Sequence, residues 1–276
     1  VVTDKRFGLL HHPKIPESQQ LAQETETGLL ALGVSVWRAS AWEEAEVLQA
    51  AYESDLLITF GGDGTIVRAA RVTAGQNLPI LGVNLGRLGF LAELQPWEVS
   101  DRLEALVNGQ YWLEERMMLH ADLRRDQRVI QSFEALNDVV VSRGRVGRVV
   151  RLDTYIDGQY LKTYVADGVI VSTPTGSTAY SLAAGGPILD PQLFNILLTP
   201  VAPHLAVARA LVLPTTVHVH LEVSTEYEAT LTVDGQVDVP LNDGDAVIVR
   251  ASPNVCHFVR MGERNYFYRT LLERLR

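Results

Sequence analysis

The sequence predicts an α/β N-terminal domain with a parallel sheet, a mainly β C-terminal domain, and a C-terminal segment returning to the first domain. Three observations carry this. Up to about residue 110, short apolar runs alternate with helix-like stretches, the rhythm of a parallel sheet covered by helices. An apolar run at 56–60 ends in a cluster of glycines, as a buried parallel strand running into a ligand loop does. From Tyr111 the alternation shortens to that of strands separated by turn residues. The expected domains are residues 1–110, 111–260 and a C-terminal helix over 261–276 that packs back on the first domain.

Residues 7–10 read as a short strand, and Leu21, Ala22, Leu29 and Leu30 lie in helix-like surroundings after it. Residues 34–37 read as a second strand and 42–50 as a helix. After the strand at 56–60, a helix is expected over 65–73 and a strand over 80–83. Pro96 precedes a helix that ends near Asn108-Gly109. In the second half, strands are expected at 119–123, 135–142, 149–156, 168–172, 217–223, 229–233 and 246–249. Asp157-Gly158 has the chemistry of a hairpin turn, and Asp234-Gly235 and Asp243-Gly244 break the later strands. One helix is expected from about Ser177, and another over the final dozen residues.

Composition narrows the function classes. At 47% hydrophobic and 21% charged, the 276 residues suit one large or two mid-sized folded domains. A formal net charge of −9 repels nucleic-acid backbones and anionic membranes, so neither is an expected partner. If the ligands are anions, the site must gather positive charge or metal locally. Cys256 is the only cysteine, which leaves no disulfide framework and no cysteine zinc site. In its strand-like context it reads as a buried structural thiol. No apolar run reaches membrane-spanning length and the first residues carry no signal-peptide pattern, so the expected compartment is the cytoplasm.

The strongest local feature is Gly61-Gly62-Asp63-Gly64-Thr65, between the buried strand and a helix. Glycines here permit positive φ and close backbone approach to a ligand, and the helix N-terminus offers N–H groups to phosphate. A carboxylate in such a loop is unfavourable unless it meets a proton, a hydroxyl or a metal. An incidental Asp-Gly turn is the alternative, although three glycines around one aspartate at a strand's carboxyl end suit a ligand site better. The loop lacks the lysine of a Walker motif and the spacing of G-x-G-x-x-G. His11 and His12 precede Pro13 at the same edge of the sheet, where phosphate contact is conceivable and a metal site is not expected.

Asn137-Asp138 pairs an amide with a carboxylate, a combination that grips vicinal ribose hydroxyls but also occurs in plain turns. The string DGVIVSTPTGSTAYSLAAGGPI over 167–188 runs from a strand through a hydroxyl-rich loop into a short helix. Its hydroxyls and N–H groups suit an amide, a base edge or a phosphate, and Tyr180 can stack on an aromatic ring. A solvated, capped loop is the other reading of any one of these residues.

Taken together, GGDG with Arg68, the run Asn84-Leu85-Gly86-Arg87-Leu88-Gly89-Phe90-Leu91, Asn137-Asp138 and the 167–188 string resemble the NAD kinase family over roughly residues 55–210. Pro203-His204 and Arg209-Ala210-Leu211-Val212 fit its downstream stretch. There are two departures. Asn137-Asp138 stands where that family usually has Asn-Glu, and Ala210 where it commonly has proline.

The resemblance implies transfer of the terminal phosphoryl group of ATP, or of polyphosphate, to the adenosine-ribose 2′-hydroxyl of NAD, giving NADP. It implies Mg²⁺ or another divalent metal, with metal ligands left unassigned, and a homo-oligomer, tetramer or dimer. Asp63 is implied as the catalytic carboxylate. NAD contacts are implied at Asp63, Gly64, Arg68, Asn137, Asp138, Arg148, Val165, Asp167, Thr178, Ala179, Tyr180, Ser181, Leu182, Ala183 and Gln236. Gly61, Gly62, Gly64 and Thr65 are implied as the phosphate-donor loop. From sequence alone Arg68 and Arg148 also read as surface arginines, and Gln236 as part of a turn. Two rival functions share the scaffold. A lipid or sphingoid-base kinase uses the same GGDG loop but needs a basic amphipathic segment that is missing here. A non-catalytic NADP(H) sensor would have no need of Asp63.

Overall fold

The computed structural model describes residues 4–86, 89–144, 148–204, 209–224, 227–264 and 266–274. It divides into two compact units, Val1–Glu115 with Val255–Arg276, and Arg116–Asn254. The chain passes between units within two long strands, where the sequence reading puts the breaks at 110 and 260.

The α/β unit runs β1 (Arg6–His11), α1 (Pro16–Ala31), β2 (Ser35–Ser40), α2 (Glu44–Ala51), β3 (Leu56–Gly61), α3 (Asp63–Val72) and β4 (Ile80–Asn84). A 3₁₀ turn (Pro96–Glu98) then leads into α4 (Val99–Val107). The strands are parallel in the order β2-β1-β3-β4. β3 is buried along its whole length, which explains its continuous apolar sequence. Phe7, Leu9, Ile58, Phe60 and Val83 pack with Ala22 and Leu29 of α1 and Leu103 and Leu106 of α4. Pro16 opens α1 where its missing N–H costs nothing, and Gly33 closes it with φ 81°. The strand order reverses between β1 and β3, so ligand chemistry is expected beyond their carboxyl ends. Those ends carry His11 and Gly61.

The other unit is a sandwich of antiparallel strands. Its strands are the later part of β5 (Trp112–Arg125), then β6 (Arg128–Ala135), β7 (Asp138–Arg143), β8 (Val150–Ile156), β9 (Gln159–Ala166) and β10 (Gly168–Ser172). A 3₁₀ turn (Thr175–Thr178) and the single-turn helix α5 (Tyr180–Ala183) follow. Then come β11 (Asn195–Val201), β12 (Leu211–Pro214), β13 (Val219–Val223), β14 (Ala229–Val233), β15 (Val237–Leu241) and the first part of β16 (Ala246–Arg260). One sheet has the order β12-β11-β10-β7-β14-β15; in the other, β16, β13, β8 and β9 are consecutive neighbours. β13 and β14 alternate buried and half-buried residues, and Leu221 and Leu231 reach the core shared with Val139, Val141 and Val169. Asp157 and Gly158 both have positive φ, 49° and 77°, as their hairpin turn requires.

Several elements differ from the sequence reading. β6 has residues 128–132 exposed, so no core face marks it in the sequence. β11 was also unread, and β5 and β16 extend well beyond the predicted segments. The helix expected from Ser177 is a 3₁₀ turn followed by four residues of α-helix.

The chain returns to the α/β unit through the end of β16, where Phe258 pairs with Ile80 of β4, and through α6 (Tyr266–Arg274). Arg260 anchors this return. Its buried guanidinium donates to Glu114 Oε2 at 2.7 Å, to the Leu91 carbonyl at 2.8 Å and to the Tyr266 hydroxyl at 3.0 Å. Removing the cation leaves the buried Glu114 carboxylate without this counter-charge, although the Tyr266 hydroxyl still donates to it. Arg260→Met is therefore expected to destabilise the α/β unit by about 3–5 kcal/mol. All four tryptophans lie in this unit, so tryptophan fluorescence during urea unfolding measures the loss; an unchanged midpoint would remove Arg260 from this role.

Candidate functional site

In the α/β unit the residues singled out from the sequence gather around the GGDG loop. Gly61 ends β3, and a Cβ there would overlap Thr65. Gly62 caps α3 with φ −87° and ψ −177°, and the spaces a side chain would fill at Gly62 and Gly64 are open. The positive φ expected for these glycines does not occur, because the strand meets the helix through ordinary dihedrals. Their contribution is bare backbone at the positive end of the α3 dipole. α3 begins at Asp63, two residues earlier than predicted.

The Asp63 carboxylate turns toward the segment after β4. Its Oδ2 accepts the Phe90 N–H at 2.7 Å and its Oδ1 the Leu91 N–H at 3.2 Å. Gly89 is required beside it, since a Cβ at that position would overlap the carboxylate. Asn84 holds its own turn through paired bonds with Gly86, at 3.1 and 3.3 Å. Arg87 and Leu88 of the predicted motif lie outside the described residues.

Arg68 does not stand free at this edge. It and Arg71 both pair with Glu44 Oε1, and Arg68 lies 4.7 Å over the Trp42 ring. His12 packs edge-on to the same ring at 4.5 Å. Burial, aided by Arg38 for His11 and Lys14 for His12, lowers both histidine pKa values and favours the neutral rings. Ser18 of α1 ties this edge together, accepting the His12 N–H and donating to the Phe60 carbonyl.

In the β unit, Asn137, Asp138, Ala179 and Tyr180 line one cavity of about 350 Å³, together with Val140, Ser142, Thr232, Asp234 and Gly235. Tyr180 is 46% exposed and presents its ring, whereas Asp138 is only 4% exposed. Burial, reinforced by the neighbouring Asp234, raises the Asp138 pKa to about 7.

The hydroxyls of the loop are largely engaged within the protein, several by partners outside the loop. Thr173 donates to the Leu136 carbonyl at 2.6 Å, Ser177 to the Pro174 carbonyl at 2.6 Å, and Ser181 bonds Thr199 at 3.0 Å. Buried Arg116 donates to Thr175, and Thr178 donates to the Thr175 carbonyl. Gly176 lies against Asn137, whose carbonyl a Cβ would strike. The sequence shows a polar surface; the structure shows these groups bracing the loop so that its backbone and Tyr180 are presented.

The other predicted residues do not line this cavity. Asp167 is paired with Arg143 at 2.9 Å, and Arg148 lies 4.7 Å over Tyr227. The Val165 carbonyl accepts the His204 N–H, the Leu182 carbonyl the Gly185 N–H, and the Gln236 N–H bonds Val233. Ala183 ends α5. Among the described residues, no group of three or more His, Cys, Asp or Glu is arranged to hold a metal ion. No helix among them is long and apolar enough to cross a membrane.

Comparison with known proteins decides what this assembly belongs to. The ATP-NAD kinase N-terminal domain profile matches residues 6–111, and the ATP-NAD kinase C-terminal domain profile matches residues 136–261. The chain belongs to the NAD kinase family. An NAD kinase of Dehalococcoides mccartyi is 41% identical over 273 residues, covering 99% of this chain and 96% of that protein. One of Chloroflexus aggregans is 42% identical over 272 residues, covering 99% of each chain. Yeast NADH kinase, solved with NADH, superposes with a TM-score of 0.88 at 29% identity over 98% of this chain and 87% of its own. The Archaeoglobus fulgidus NAD kinase solved with ATP shares the fold, with a TM-score of 0.76 at 24% identity over 98% of each chain.

Within this NAD kinase fold, sequence reasoning missed Asp234, Glu44 and the Phe90–Leu91 amides. Asp234 carries the signature of a turn, with φ 51°, and nothing local shows that its carboxylate points back to β7. Glu44 lies two elements before its arginine partners, beyond any helical spacing rule. The raised Asp138 pKa has a consequence for stability. The folded chain keeps this proton up to about pH 7, whereas an unperturbed carboxyl releases it near 3.8. Stability therefore falls as pH rises between those values. Asp138→Asn is expected to raise the melting temperature relative to the unmutated chain at pH 8 and to change it little at pH 4; equal effects at both would contradict the raised pKa.

Proposed function

We propose that this chain transfers the terminal phosphoryl group of ATP to the 2′-hydroxyl of the adenosine ribose of NAD, producing NADP. The observation that carries this is the match across both domains, with relatives called NAD kinase aligned over nearly the whole chain. The NADH-bound yeast relative supports a nicotinamide dinucleotide as acceptor.

In this reading Asp63 is the base. It takes the proton from the 2′-hydroxyl as that oxygen forms a bond to the γ-phosphorus; the bond to the β,γ-bridging oxygen breaks and ADP leaves. The Phe90 and Leu91 N–H groups fix the carboxylate's orientation while lone pairs remain to accept from the ribose. The N-terminus of α3 supplies fixed positive potential for the phosphates. Asn137 and Asp138 hold ribose hydroxyls, and Tyr180 stacks on a base or the nicotinamide. Arg68 and Gly64 assist at the phosphate side. Arg148, Val165, Asp167, Thr178, Ala179, Ser181, Leu182, Ala183 and Gln236 complete the NAD contacts, several through backbone or packing.

The described residues build no metal cage of their own. Mg²⁺ or another divalent ion, which the family resemblance implies, would be held by the phosphate oxygens of ATP, whose hard character suits it, and would neutralise part of their charge. Polyphosphate presents an equivalent terminal group and is an alternative donor. Resemblance to the family further supports a cytoplasmic homo-oligomer, tetramer or dimer.

Asp63→Asn should lower kcat by roughly 10²–10⁴-fold with little change in NAD affinity. Steady-state rates alongside calorimetric NAD titration check this, and a wild-type kcat would remove Asp63 as the base. Tyr180→Ala should raise KM for NAD by roughly tenfold and leave KM for ATP nearly unchanged. An unchanged KM for NAD would reject the stacking role.

A further inference from the structure

We infer that Asp234 is a positioning residue for the substrate-binding pair Asn137–Asp138, its single carboxylate clamping three consecutive backbone N–H groups at the start of β7. The inference rests on the NAD-binding reading of that cavity. Oδ1 of Asp234 accepts the Asn137 N–H at 2.7 Å and the Asp138 N–H at 3.0 Å, and Oδ2 accepts the Leu136 N–H at 2.9 Å. In return, the Asp234 N–H donates to the Asp138 carbonyl at 2.9 Å. Four hydrogen bonds thus tie the β14–β15 turn to residues 136–138, three of them to Asn137 and Asp138, which line the cavity. Such charge-assisted bonds are about twice as strong as neutral ones.

The turn is shaped for this task. Asp234 and Gly235 have φ of 51° and 63°, a left-handed pair that aims the carboxylate back at residues 136–138. Left-handed backbone is uncommon outside glycine, and aspartate and asparagine tolerate it best. Asp234→Asn therefore preserves the turn while removing the charge. It also sets an amide NH₂ against one of the clamped N–H groups, donor against donor. Asp234→Glu keeps the charge but displaces the carboxylate by one methylene.

Burial is the larger cause of the raised proton affinity of Asp138, and the clamp adds to it. Of the residues lining the cavity with Asp138, only Asp234 and Tyr180 titrate, and Asp234 is the one whose charge acts on it. The same carboxylate that fixes the backbone thus raises the proton affinity of its neighbour, so NAD binding should change with pH near neutrality.

The test combines a ligand-free and a ligand-bound readout. In the ligand-free protein, amide hydrogen exchange at Leu136, Asn137 and Asp138 should be slow in the wild type and roughly tenfold or more faster in Asp234→Asn. In the NAD titration, Asp234→Asn should weaken NAD by roughly tenfold, appearing in KM rather than kcat. It should also shift the pH inflection of NAD affinity below the wild-type value. Asp234→Glu should retain that inflection while still weakening NAD, which a purely structural defect would not reproduce. Wild-type exchange at residues 136–138 together with wild-type NAD affinity in Asp234→Asn would overturn the positioning role. Slow exchange in a wild-type protein that does not bind NAD would instead overturn the substrate reading on which it rests.

Discussion

The hydrogen bonds from Phe90 and Leu91 to the Asp63 carboxylate are the contact on which the GGDG edge of the α/β unit depends. They fix a charged group at the first residue of α3. Leu91 also accepts Arg260 at its carbonyl, and Arg260 is held by Glu114 and Tyr266. A line of hydrogen bonds therefore joins Asp63 through one residue, Leu91, to the C-terminal return. The last segment of the chain thus reaches the Asp63 loop through a network of buried polar groups, where loss of one member exposes the others to full desolvation.

An acidic protein that handles anionic ligands has to place its positive potential with care. Here much of it comes from backbone rather than from side chains: the α3 N-terminus in one unit, and clusters of N–H groups on carboxylates in both. Arg68 and Arg71 share one glutamate, so one of their two positive charges is offset and their guanidinium groups are held in place. Asp138 shows the opposite balance, since burial beside a second carboxylate makes the proton the cheapest counter-charge.

What the sequence revealed follows from how local each signal is. The β3–GGDG–α3 junction was legible because apolar run, glycines and helix are contiguous. The hairpin at Asp157-Gly158 was legible because its turn chemistry is confined to two residues. β6 was not, because an edge strand with five exposed residues has no alternation to read. The hydroxyl loop was read as a contact surface, yet Thr173, Ser177 and Ser181 bond inward to partners set by tertiary packing. Asp234 looked like a turn residue because its three N–H partners lie nearly a hundred positions earlier in the chain.

The most direct test of the account is the identity of the product. Purified protein incubated with NAD and Mg-ATP should yield ADP and, in equal amount, a dinucleotide that an NADP-specific dehydrogenase reduces, with its new phosphate on the adenosine 2′-oxygen by ³¹P NMR. ATP consumption without that product, or a phosphate on any other oxygen, would contradict it.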